Sequence, residues 1–244
     1  MNLSYWEYKS WLSNIDFTVI GSGIVGLNCA LELRINRPKA KILVLEKGVL
    51  PQGASTKNAG FACFGSISEV LSDLKTHAEE EIVDLVQHRW DGMLALRHLL
   101  GDKTIDFQLH GGHELFLAED QKLYQYCLEN LKKANTLLNP VFGREAFKVT
   151  PNDFGFNGIQ KNYISHVFEG QLDTGKMMSS LLQLALVSGI TILNAVTVES
   201  YEENSNGVEV KTDQFEFHTN KLLIATNGFS NKLLNEKIKP ARAQ

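Results

Sequence analysis

The sequence predicts an α/β fold whose parallel sheet is interrupted by an inserted α+β segment. Three observations lead to this prediction. An apolar run, a glycine-rich turn and an amphipathic helical pattern follow one another over residues 17–34. A second apolar run at residues 42–45 ends at an acidic residue, which completes a strand–turn–helix–strand unit. Beyond residue 66, helical and strand-like patterns no longer alternate regularly, as they would in a simple Rossmann domain.

The glycine-rich turn, Gly-Ser-Gly-Ile-Val-Gly at residues 21–26, is the first element with a chemical meaning. Gly21 permits a tight turn, Gly23 allows a pyrophosphate to approach the backbone, and Gly26 allows the helix to pack on the strand. The N-terminus of the helix adds free N–H groups and a partial positive charge. Glu46, twenty residues after Gly26, is placed to accept hydrogen bonds from ribose hydroxyls.

Glu46 also narrows the choice of ligand. An acid at this position disfavours a 2′-phosphate and therefore NADP, whereas NAD and FAD are not separated by it. The alternative interpretation is a glycine-rich turn in an ordinary βαβ unit, which leaves the position of Glu46 unexplained. The sequence therefore predicts a dinucleotide site at this turn.

Composition and charge exclude several classes of function. The 244 residues carry a net charge of −4 without a basic stripe, so nucleic acid is not an expected partner. No apolar run approaches the roughly 20 residues of a membrane span. The first 14 residues lack the pattern of a signal peptide and read as a short amphipathic helix. The three cysteines are odd in number and widely spaced, which argues against disulfides or a zinc site and predicts a cytoplasmic protein: Cys29, Cys63 and Cys127.

The middle of the chain predicts helices around one hairpin. Residues 47–66, rich in small polar residues, read as a long, ordered and functional loop. Residues 68–100 are helical in pattern, with a break that allows two helices. Gly111-Gly112 predicts a hairpin turn between two strands within residues 104–118. A further helix over residues 119–138 is predicted to end at Asn139-Pro140.

The last third predicts a return to the sheet. An irregular stretch at 141–158 precedes a strand at 162–168 and a helix at 176–188 that ends at Gly189. Short strands follow, with a hairpin turn at Asn206-Gly207. The predicted strands are residues 190–193, 196–202, 208–212, 215–218 and a buried run at 221–225. The predicted division is a cofactor domain at 15–80 and 169–232, an insertion at 81–168, and a return toward the insertion at 233–244.

Four stretches of this sequence resemble the FAD-dependent oxidoreductases of the D-amino-acid oxidase, glycine oxidase and sarcosine oxidase family. They are IGSGIVGLNCALEL with VLEKG, GASTKNAGFACFGS, GQLDTGKMMSSLLQLALVSGITIL and KLLIATNGFSNKLL. Their combination and order cover most of the chain from Asp16 onward. The resemblance implies a Rossmann-like FAD-binding domain with an inserted α+β substrate domain, and FAD as the cofactor.

The resemblance also implies which residues face the cofactor. The glycine turn would face the pyrophosphate. The acid and its neighbour would bind the adenosine ribose. The small-residue loop would contact the phosphates, the ribityl chain and the isoalloxazine. A backbone group near Val196 would meet adenine, and the turn after the last strand would lie near the phosphates. The implied set is Gly21, Gly23, Ile24, Val25, Gly26, Glu46, Lys47, Ala54, Ser55, Thr56, Asn58, Ala59, Gly60, Val196, Ala225, Thr226, Asn227 and Gly228. Asn227 departs from the commonest Ala-Thr-Gly form of that turn.

The implied activity is oxidation of the C–N bond of an amino acid or secondary amine by hydride transfer to flavin. Two alternatives remain open: a 2-hydroxy-acid or glycerol-phosphate dehydrogenase of the same fold, and a non-catalytic flavin-binding or interaction module. The sequence singles out no catalytic side chain and no metal ligand set. His110 and His113 flank the Gly-Gly pair and read either as exposed turn residues or as part of a substrate face.

The chain ends at KPARAQ, and in the family a similar stretch opens the second half of the substrate domain. We therefore expect the C-terminal part of both domains to be missing, in a fragment or a naturally short protein. Two hypotheses follow. The chain alone would bind FAD weakly or not at all, and an exposed core edge would favour a homo-oligomer or association with a partner.

Overall fold

The computed structural model describes residues 3–234, so the predicted return segment at 233–244 lies outside the described residues from position 235 onward. The chain forms two compact units. One comprises the chain up to Asn58 and again from Thr174, and the other comprises Ala59–Asp173. The second unit begins earlier than the insertion we predict at residue 81, because residues 67–73 contribute Ile67, Val70 and Leu71 to its core.

The helices and strands of the described residues are numbered in chain order. The helices are α1 Tyr5–Glu7, α2 Ile24–Asn36, α3 Ile67–Asp73, α4 Glu79–Leu100, α5 Asp102–Ile105, α6 Gln121–Phe142 and α7 Thr174–Val187. The strands are β1 Ile15–Ile20, β2 Ile42–Leu45, β3 Phe61–Ala62, β4 Gly112–Glu114, β5 Phe147–Pro151, β6 Asn162–His166, β7 Gly170–Gln171, β8 Thr191–Leu193, β9 Val198–Asn204, β10 Gly207–Thr212 and β11 Glu216–Ile224. A π-helical turn, Tyr8–Leu12, continues α1, and 3₁₀ turns lie at Ala54–Thr56, Ala118–Asp120 and Asn227–Lys232.

The first unit is built on a six-stranded sheet in the order β8-β2-β1-β11-β10-β9. Strands β8, β2, β1 and β11 run parallel, and β10 and β9 add an antiparallel edge. All four residues of β2 are buried, as expected for a parallel strand that is covered on both faces. The predicted α/β fold with a parallel sheet is confirmed.

The parallel strands place their carboxyl ends at one edge of this sheet. The glycine turn follows β1, the acidic residue follows β2, and the turn at 225–228 follows β11. Helix α2 begins at the same edge, directly after the glycine turn. Ligands of open α/β sheets bind at such an edge, so the topology assembles the predicted dinucleotide residues from distant parts of the sequence.

The second unit packs helices on a small antiparallel sheet in the order β4-β6-β5. Phe64, Phe147 and Ile164 are buried in its core together with residues of α3, α4 and α6. A separate two-stranded ladder joins β3 to β7. The break predicted in the helical region 68–100 is confirmed, because α3 and α4 are separate helices.

The hairpin predicted around Gly111-Gly112 is wrong. Strand β4 pairs with β6, residues 102–105 form a short helix, and Gln108 makes only an isolated bridge to Gln171, so β4 has no hairpin partner among described residues 104–111. The glycines instead allow a close approach to the segment after β6. A Cβ at Gly111 would lie 2.6 Å from the carbonyl oxygen of His166, and a Cβ at Gly112 would overlap the carboxylate of Glu169.

Three other boundaries differ from the prediction. Helix α6 passes through Pro140 and ends at Gly143, which adopts a left-handed conformation (φ 67°). The stretch predicted as irregular contains β5, which pairs with β6. The two strands predicted at 215–218 and 221–225 are one strand, β11, because its N-terminal half pairs with β10 and its C-terminal half with β1. The hairpin at Asn206-Gly207 is confirmed, since β9 and β10 meet there.

Candidate functional site

The glycine turn after β1 is closed so tightly that side chains are excluded. Gly21 has φ +104°, and a Cβ there would lie 2.7 Å from the carbonyl oxygen of Ala225. Its N–H donates to the carbonyl of Leu45 at 2.8 Å, which ties the turn to the end of β2. A Cβ at Gly26, in the first turns of α2, would overlap the carbonyl oxygen of Gly21. The two glycines therefore let helix, turn and strand pack in direct backbone contact, as predicted for a dinucleotide cradle.

The N-terminus of α2 is capped from a distant loop. Gly23 occupies the N-cap position and has no side chain to offer. The backbone N–H of Ile24 donates instead to Oγ of Ser55, at 2.9 Å. A Cβ at Gly23 would lie only 2.9 Å from that oxygen. The small-residue loop thus meets the glycine turn at the positive end of the helix, where a phosphate binds best.

The loop that carries Ser55 is fixed by its own hydrogen bonds. Oγ1 of Thr56 donates to the carbonyl of Pro51 at 2.9 Å. The side-chain amide of Asn58 donates to the carbonyls of Ala54 and Ser55, at 3.2 and 3.0 Å. Oγ1 of Thr174, the first residue of α7, donates to Oδ1 of Asn58 at 2.9 Å. These contacts fix the conformation of residues 54–58.

Glu46 is buried and held in one orientation. Its Oε2 accepts hydrogen bonds from the backbone N–H and the hydroxyl of Ser22, at 3.0 and 2.8 Å. Its Oε1 accepts from the backbone N–H of Gly48 at 2.9 Å. Since a carboxylate oxygen can accept about two hydrogen bonds, Oε1 retains capacity for a ribose hydroxyl. Sequence reasoning predicted the acid but missed Ser22 as the residue that orients it.

The turn after β11 approaches the same glycines. The N–H of Ala225 donates to the carbonyl of Ile20 at 2.9 Å, and the carbonyl of Ala225 lies against Gly21. Within residues 3–234, the buried Oγ1 of Thr226 has no hydrogen-bond partner. Asn227 has φ +49°, a left-handed conformation that asparagine tolerates better than most residues. Thr226 is therefore a donor without an internal acceptor beside the candidate phosphate site.

The remaining predicted residues have different surroundings. Val25 is 65% exposed on the first turn of α2, and Lys47 is exposed next to Glu46. The N–H of Val196 donates to the carbonyl of Glu46 at 3.0 Å, so a backbone contact with adenine would have to use the Val196 carbonyl. Ala59 and Gly60 belong to the second unit, where the carbonyl of Gly60 accepts from Leu172 at 2.9 Å.

These observations fit a dinucleotide pyrophosphate at the glycine turn. The close backbone packing at Gly21 and Gly26 allows a phosphate to approach the N-terminus of α2. The Ser55 hydroxyl and the Thr226 hydroxyl, which is unpaired among residues 3–234, provide donors. Glu46 adds a preoriented acceptor for a ribose. We propose that those residues implied by the family resemblance that belong to the first unit form this site.

The second unit contains a buried acid–imidazole pair that sequence reasoning missed. Nδ1 of His166 lies 3.1 Å from Oε2 of Glu169, and both side chains are more than nine-tenths buried. Oε1 of Glu169 accepts from the backbone N–H groups of Phe64 and Gly65, at 3.0 and 3.2 Å. His166 and Glu169 are only three residues apart, but the N–H groups that hold the carboxylate lie 105 and 104 residues earlier, which no local pattern signals.

Burial and nearby charges alter two side chains in the second unit. Burial, followed by the charges of Glu169 and Glu69, raises the pKa of the Cys63 thiol above its usual value, against a smaller opposing effect of Arg89. Burial, followed by His166 and Lys148, lowers the pKa of His113. His113 is therefore biased toward the neutral imidazole, and Cys63 toward the thiol.

Over residues 3–234, His, Cys, Asp and Glu side chains do not form a group of three or more that is arranged to hold a metal ion. None of the helices in that range combines the length and the apolarity needed to cross a bilayer.

Comparison with known proteins gives consistent matches. The model of the family described as FAD dependent oxidoreductase (DAO) matches residues 16–244. The bifunctional protein ThiO/ThiG of Synechocystis sp. is 26% identical over 246 residues, covering 94% of this chain and 32% of that protein. The crystal structure of glycine oxidase from Geobacillus kaustophilus matches with a TM-score of 0.68 at 18% identity, covering 89% of this chain and 56% of that one.

A second solved structure shows the same fold. NikD, described as an unusual amino acid oxidase essential for nikkomycin biosynthesis, matches with a TM-score of 0.63 at 19% identity. The match covers 89% of this chain and 52% of that one. The chain thus spans about a third of the curated relative and about half of each solved structure. At these identities the two structures establish a likeness of fold.

Proposed function

The chain belongs to the FAD dependent oxidoreductase (DAO) family, and from this membership we propose that it oxidises the C–N bond of an amino acid or secondary amine. FAD is the cofactor of the family. The substrate class is supported by the names of two proteins of like fold, a glycine oxidase and an amino acid oxidase. The activity is proposed for the protein as a whole, because the chain spans about half the length of those structures.

The observation that carries the proposal is the meeting of four segments at the N-terminus of α2. The glycine turn brings the backbone close, Ser55 places a hydroxyl at the helix end, and Thr226 offers a buried hydroxyl that has no partner in the described part of the chain. Glu46 follows β2 at the same sheet edge, held by Ser22. This combination suits a pyrophosphate flanked by a ribose.

In this proposal the chain's own residues bind the cofactor and orient it. The first turn of α2 stabilises the pyrophosphate through its partial positive charge, and the hydroxyl of Ser55 donates to a phosphate oxygen while accepting from Ile24. Oε1 of Glu46 accepts a ribose hydroxyl. When bound, FAD supplies the redox chemistry by accepting a hydride equivalent from the carbon that bears the nitrogen.

A flavin titration tests the binding half of this proposal. Because the chain alone is expected to bind FAD weakly at most, the titration extends to high protein concentration. We expect weak, saturable quenching of FAD fluorescence by the wild-type chain and a strong reduction in the Gly21→Val variant, because a side chain there meets the carbonyl of Ala225. Gly53→Ala is the matched control, since a Cβ at Gly53 has no neighbour within 4 Å. Equal binding by wild type and Gly21→Val would contradict the proposed cradle.

Anaerobic bleaching of the flavin tests the substrate class. Glycine, sarcosine, D-amino acids and 2-hydroxy acids are added separately to the FAD-loaded protein, and absorbance of the oxidised flavin is followed. Bleaching by an amine or amino acid is the expected result. Bleaching by 2-hydroxy acids alone would replace the proposed activity with a dehydrogenase of the same fold, and bleaching by none of them would contradict an oxidoreductase acting on this panel.

A further inference from the structure

An open groove lies between α4 and α6 on the surface of the second unit. Its volume is about 720 Å³. Glu79, at the start of α4, pairs with Lys133 of α6 at 3.1 Å. Further along both helices, Trp90 packs on Phe142, with ring centroids 5.4 Å apart. The two helices therefore run in the same direction, and each supplies one wall of the groove.

The two walls carry opposite charges. The α4 wall presents the carboxylates of Glu79, Glu80 and Asp84, and the α6 wall presents the ammonium groups of Lys132 and Lys133. All five residues are exposed. Glu79 and Lys133 pair with each other, whereas Glu80, Asp84 and Lys132 have no ion-pair partner within residues 3–234. Each wall therefore keeps charge that the described part of the chain does not neutralise.

Apolar side chains line the same groove. They are Val83 of α4 and Leu137 and Pro140 of α6. Val83 and Leu137 are only partly exposed, in contrast to the charged residues, so the bottom of the groove is apolar. An apolar centre with a charged rim is the usual arrangement of a contact between proteins.

The groove is complementary in charge to a second copy of itself, in one orientation. A symmetric dimer places the same surface of both subunits face to face across a two-fold axis. An axis along the groove sets each α4 opposite the α6 of the other copy, so that acidic walls meet basic walls. An axis across the groove sets α4 opposite α4 and brings like charges together, which is unfavourable. Charge therefore selects the axis along the groove.

The charges also match in their level along the groove. Glu79 and Lys133 of one chain are level with each other, since they form an ion pair. Rotation about an axis along the groove preserves this level. Glu80 of one copy, which follows Glu79, then comes opposite the lysines at positions 132 and 133 of the other copy. Residues that lack an ion-pair partner in the described chain thereby gain one across the axis.

We propose that the groove between α4 and α6 is the contact surface of a symmetric homodimer, in which the α4 of each copy lies opposite the α6 of the other. The apolar residues at the bottom supply contact near the axis. The charges set the orientation, because exposed ion pairs add little affinity by themselves. The surface lies wholly within Ala59–Asp173, and its role in association is independent of the proposed function.

Sedimentation of the full chain tests whether the dimer forms. The protein is studied at concentrations up to about 1 mM, which populates even a weak dimer. We expect a reversible monomer–dimer equilibrium whose dissociation constant rises when sodium chloride is added, because salt screens the charges that select the orientation. A chain that remains monomeric over the whole concentration range overturns the inference.

Charge exchange between the walls tests the surface and its orientation. Glu80→Lys with Asp84→Lys, or Lys132→Glu with Lys133→Glu, sets like charges opposite each other, and each pair of changes is expected to raise the dissociation constant at least about 10-fold. The variant with all four changes has the net charge of the wild type and opposite charges across the axis again. We expect it to dimerise within about 3-fold of the wild-type dissociation constant. A dimer that neither pair weakens, or that the four changes together do not restore, overturns the inference.

Glu199→Lys with Glu203→Lys is the matched control. Both residues are exposed on β9 in the first unit, and the two changes alter the net charge as much as Glu80→Lys with Asp84→Lys. The control is expected to keep the wild-type dissociation constant. An equal loss of dimer in the control would show a general charge effect and overturn the assignment of the surface. Circular dichroism checks that each variant folds, and the single change Glu80→Lys replaces any pair that does not.

Discussion

Gly26 shows at the scale of one residue how the candidate site excludes side chains. It lies inside α2, where glycine is unfavourable by about 0.5–1 kcal/mol relative to alanine. A Cβ at this position would overlap the carbonyl of Gly21 and come within 3.3 Å of Val19. The cost of glycine in the helix is therefore outweighed by the close approach of helix and turn.

Replacing Gly26 by alanine should separate packing from helix propensity. We expect Gly26→Ala to lower the free energy of unfolding by about 1–3 kcal/mol, because the added methyl forces α2 away from the turn. FAD binding should weaken in parallel. Urea unfolding and a fluorescence titration measure the two effects. Gly53→Ala, with open space around its Cβ, should change neither stability nor FAD binding. A Gly26→Ala variant with wild-type stability and wild-type FAD binding would refute the close packing.

Ser55 acts as the cap of a helix that begins 31 residues earlier in the chain. Its hydroxyl accepts the N–H of Ile24. We expect Ser55→Ala to reduce stability by about 0.5–2 kcal/mol, the usual cost of losing a capping side chain. Thermal unfolding measures this loss. Ser179→Ala, at an exposed position of α7 in the same unit, should stay within about 0.5 kcal/mol of wild type.

The cysteines should react in an order set by exposure and pKa. Cys63 is exposed but its pKa is raised, so at pH 8 a smaller fraction is thiolate than in the unfolded chain. We expect slower alkylation by iodoacetamide in the native protein, with the difference disappearing as the pH passes the raised pKa. Cys127 is buried with a pKa of about 11 and should stay unlabelled. Mass spectrometry of labelled peptides measures the extent of labelling at Cys63 and at Cys127. Rapid labelling of Cys127 in the native protein would contradict the structure.

At the scale of elements, helix α6 ends where its backbone changes hand. Pro140 lies in the last turn, where it removes one hydrogen-bond donor without stopping the helix. Gly143, three residues later, donates to the carbonyl of Asn139 at 2.8 Å and adopts the left-handed conformation that ends many helices. The terminating residue is therefore the glycine and not the proline.

Two glycine-to-alanine changes, one at the C-cap of α6 and one inside α4, should change the free energy of unfolding in opposite directions. Gly143→Ala places a Cβ in a left-handed conformation and should destabilise the protein by about 1–2 kcal/mol. Gly92→Ala, inside α4 with no neighbour within 4 Å of its Cβ, should stabilise it by about 0.5–1 kcal/mol. Chemical unfolding of both variants checks the signs, and equal effects would disprove the assignment of Gly143 as the helix end.

Sequence patterns predicted those elements whose signals are local. The glycine turn, α2 and β2 are fixed by residues within one βαβ unit, and Asn206-Gly207 specifies its hairpin within two residues. Gly111 and Gly112 were misread because a glycine pair that permits a turn also permits close tertiary approach, here to His166 and Glu169. Only the folded structure distinguishes the two uses. The Ser55 cap and the hydrogen bonds from Phe64 and Gly65 to Glu169 are not predicted for the same reason, since each joins distant segments.

At the scale of the whole molecule, the two units differ in how the chain builds them. The second unit is a single continuous segment, Ala59–Asp173. The first unit is formed from both sides of that segment, and its neighbouring strands β1 and β11 pair Ile15 with Thr219 and Ile20 with Ile224. Closing this pair brings together residues about 200 positions apart, which carries a larger entropic cost than local contacts.

This difference predicts the order of folding. We expect amides of α4 and α6 in the second unit to gain protection before those of β1 and β11, because non-local pairing is slow. Pulsed hydrogen exchange during refolding, read by mass spectrometry, gives the order. Amides of β9 and β10, which form a local hairpin in the first unit, serve as an internal comparison. Simultaneous or earlier protection of β1 and β11 would contradict this prediction.

The contact between Gly23 and Ser55 has a consequence for sequence divergence. The backbone of Gly23 is extended (φ −73°, ψ −178°), so alanine is compatible with its conformation. Only the Ser55 hydroxyl, 2.9 Å from where the Cβ would lie, stands in the way. A larger residue at position 23 then requires a smaller one at 55, together with another cap for the helix. Two positions that no local motif connects should therefore change together among descendants of this chain, each constraining which substitutions the other can accept.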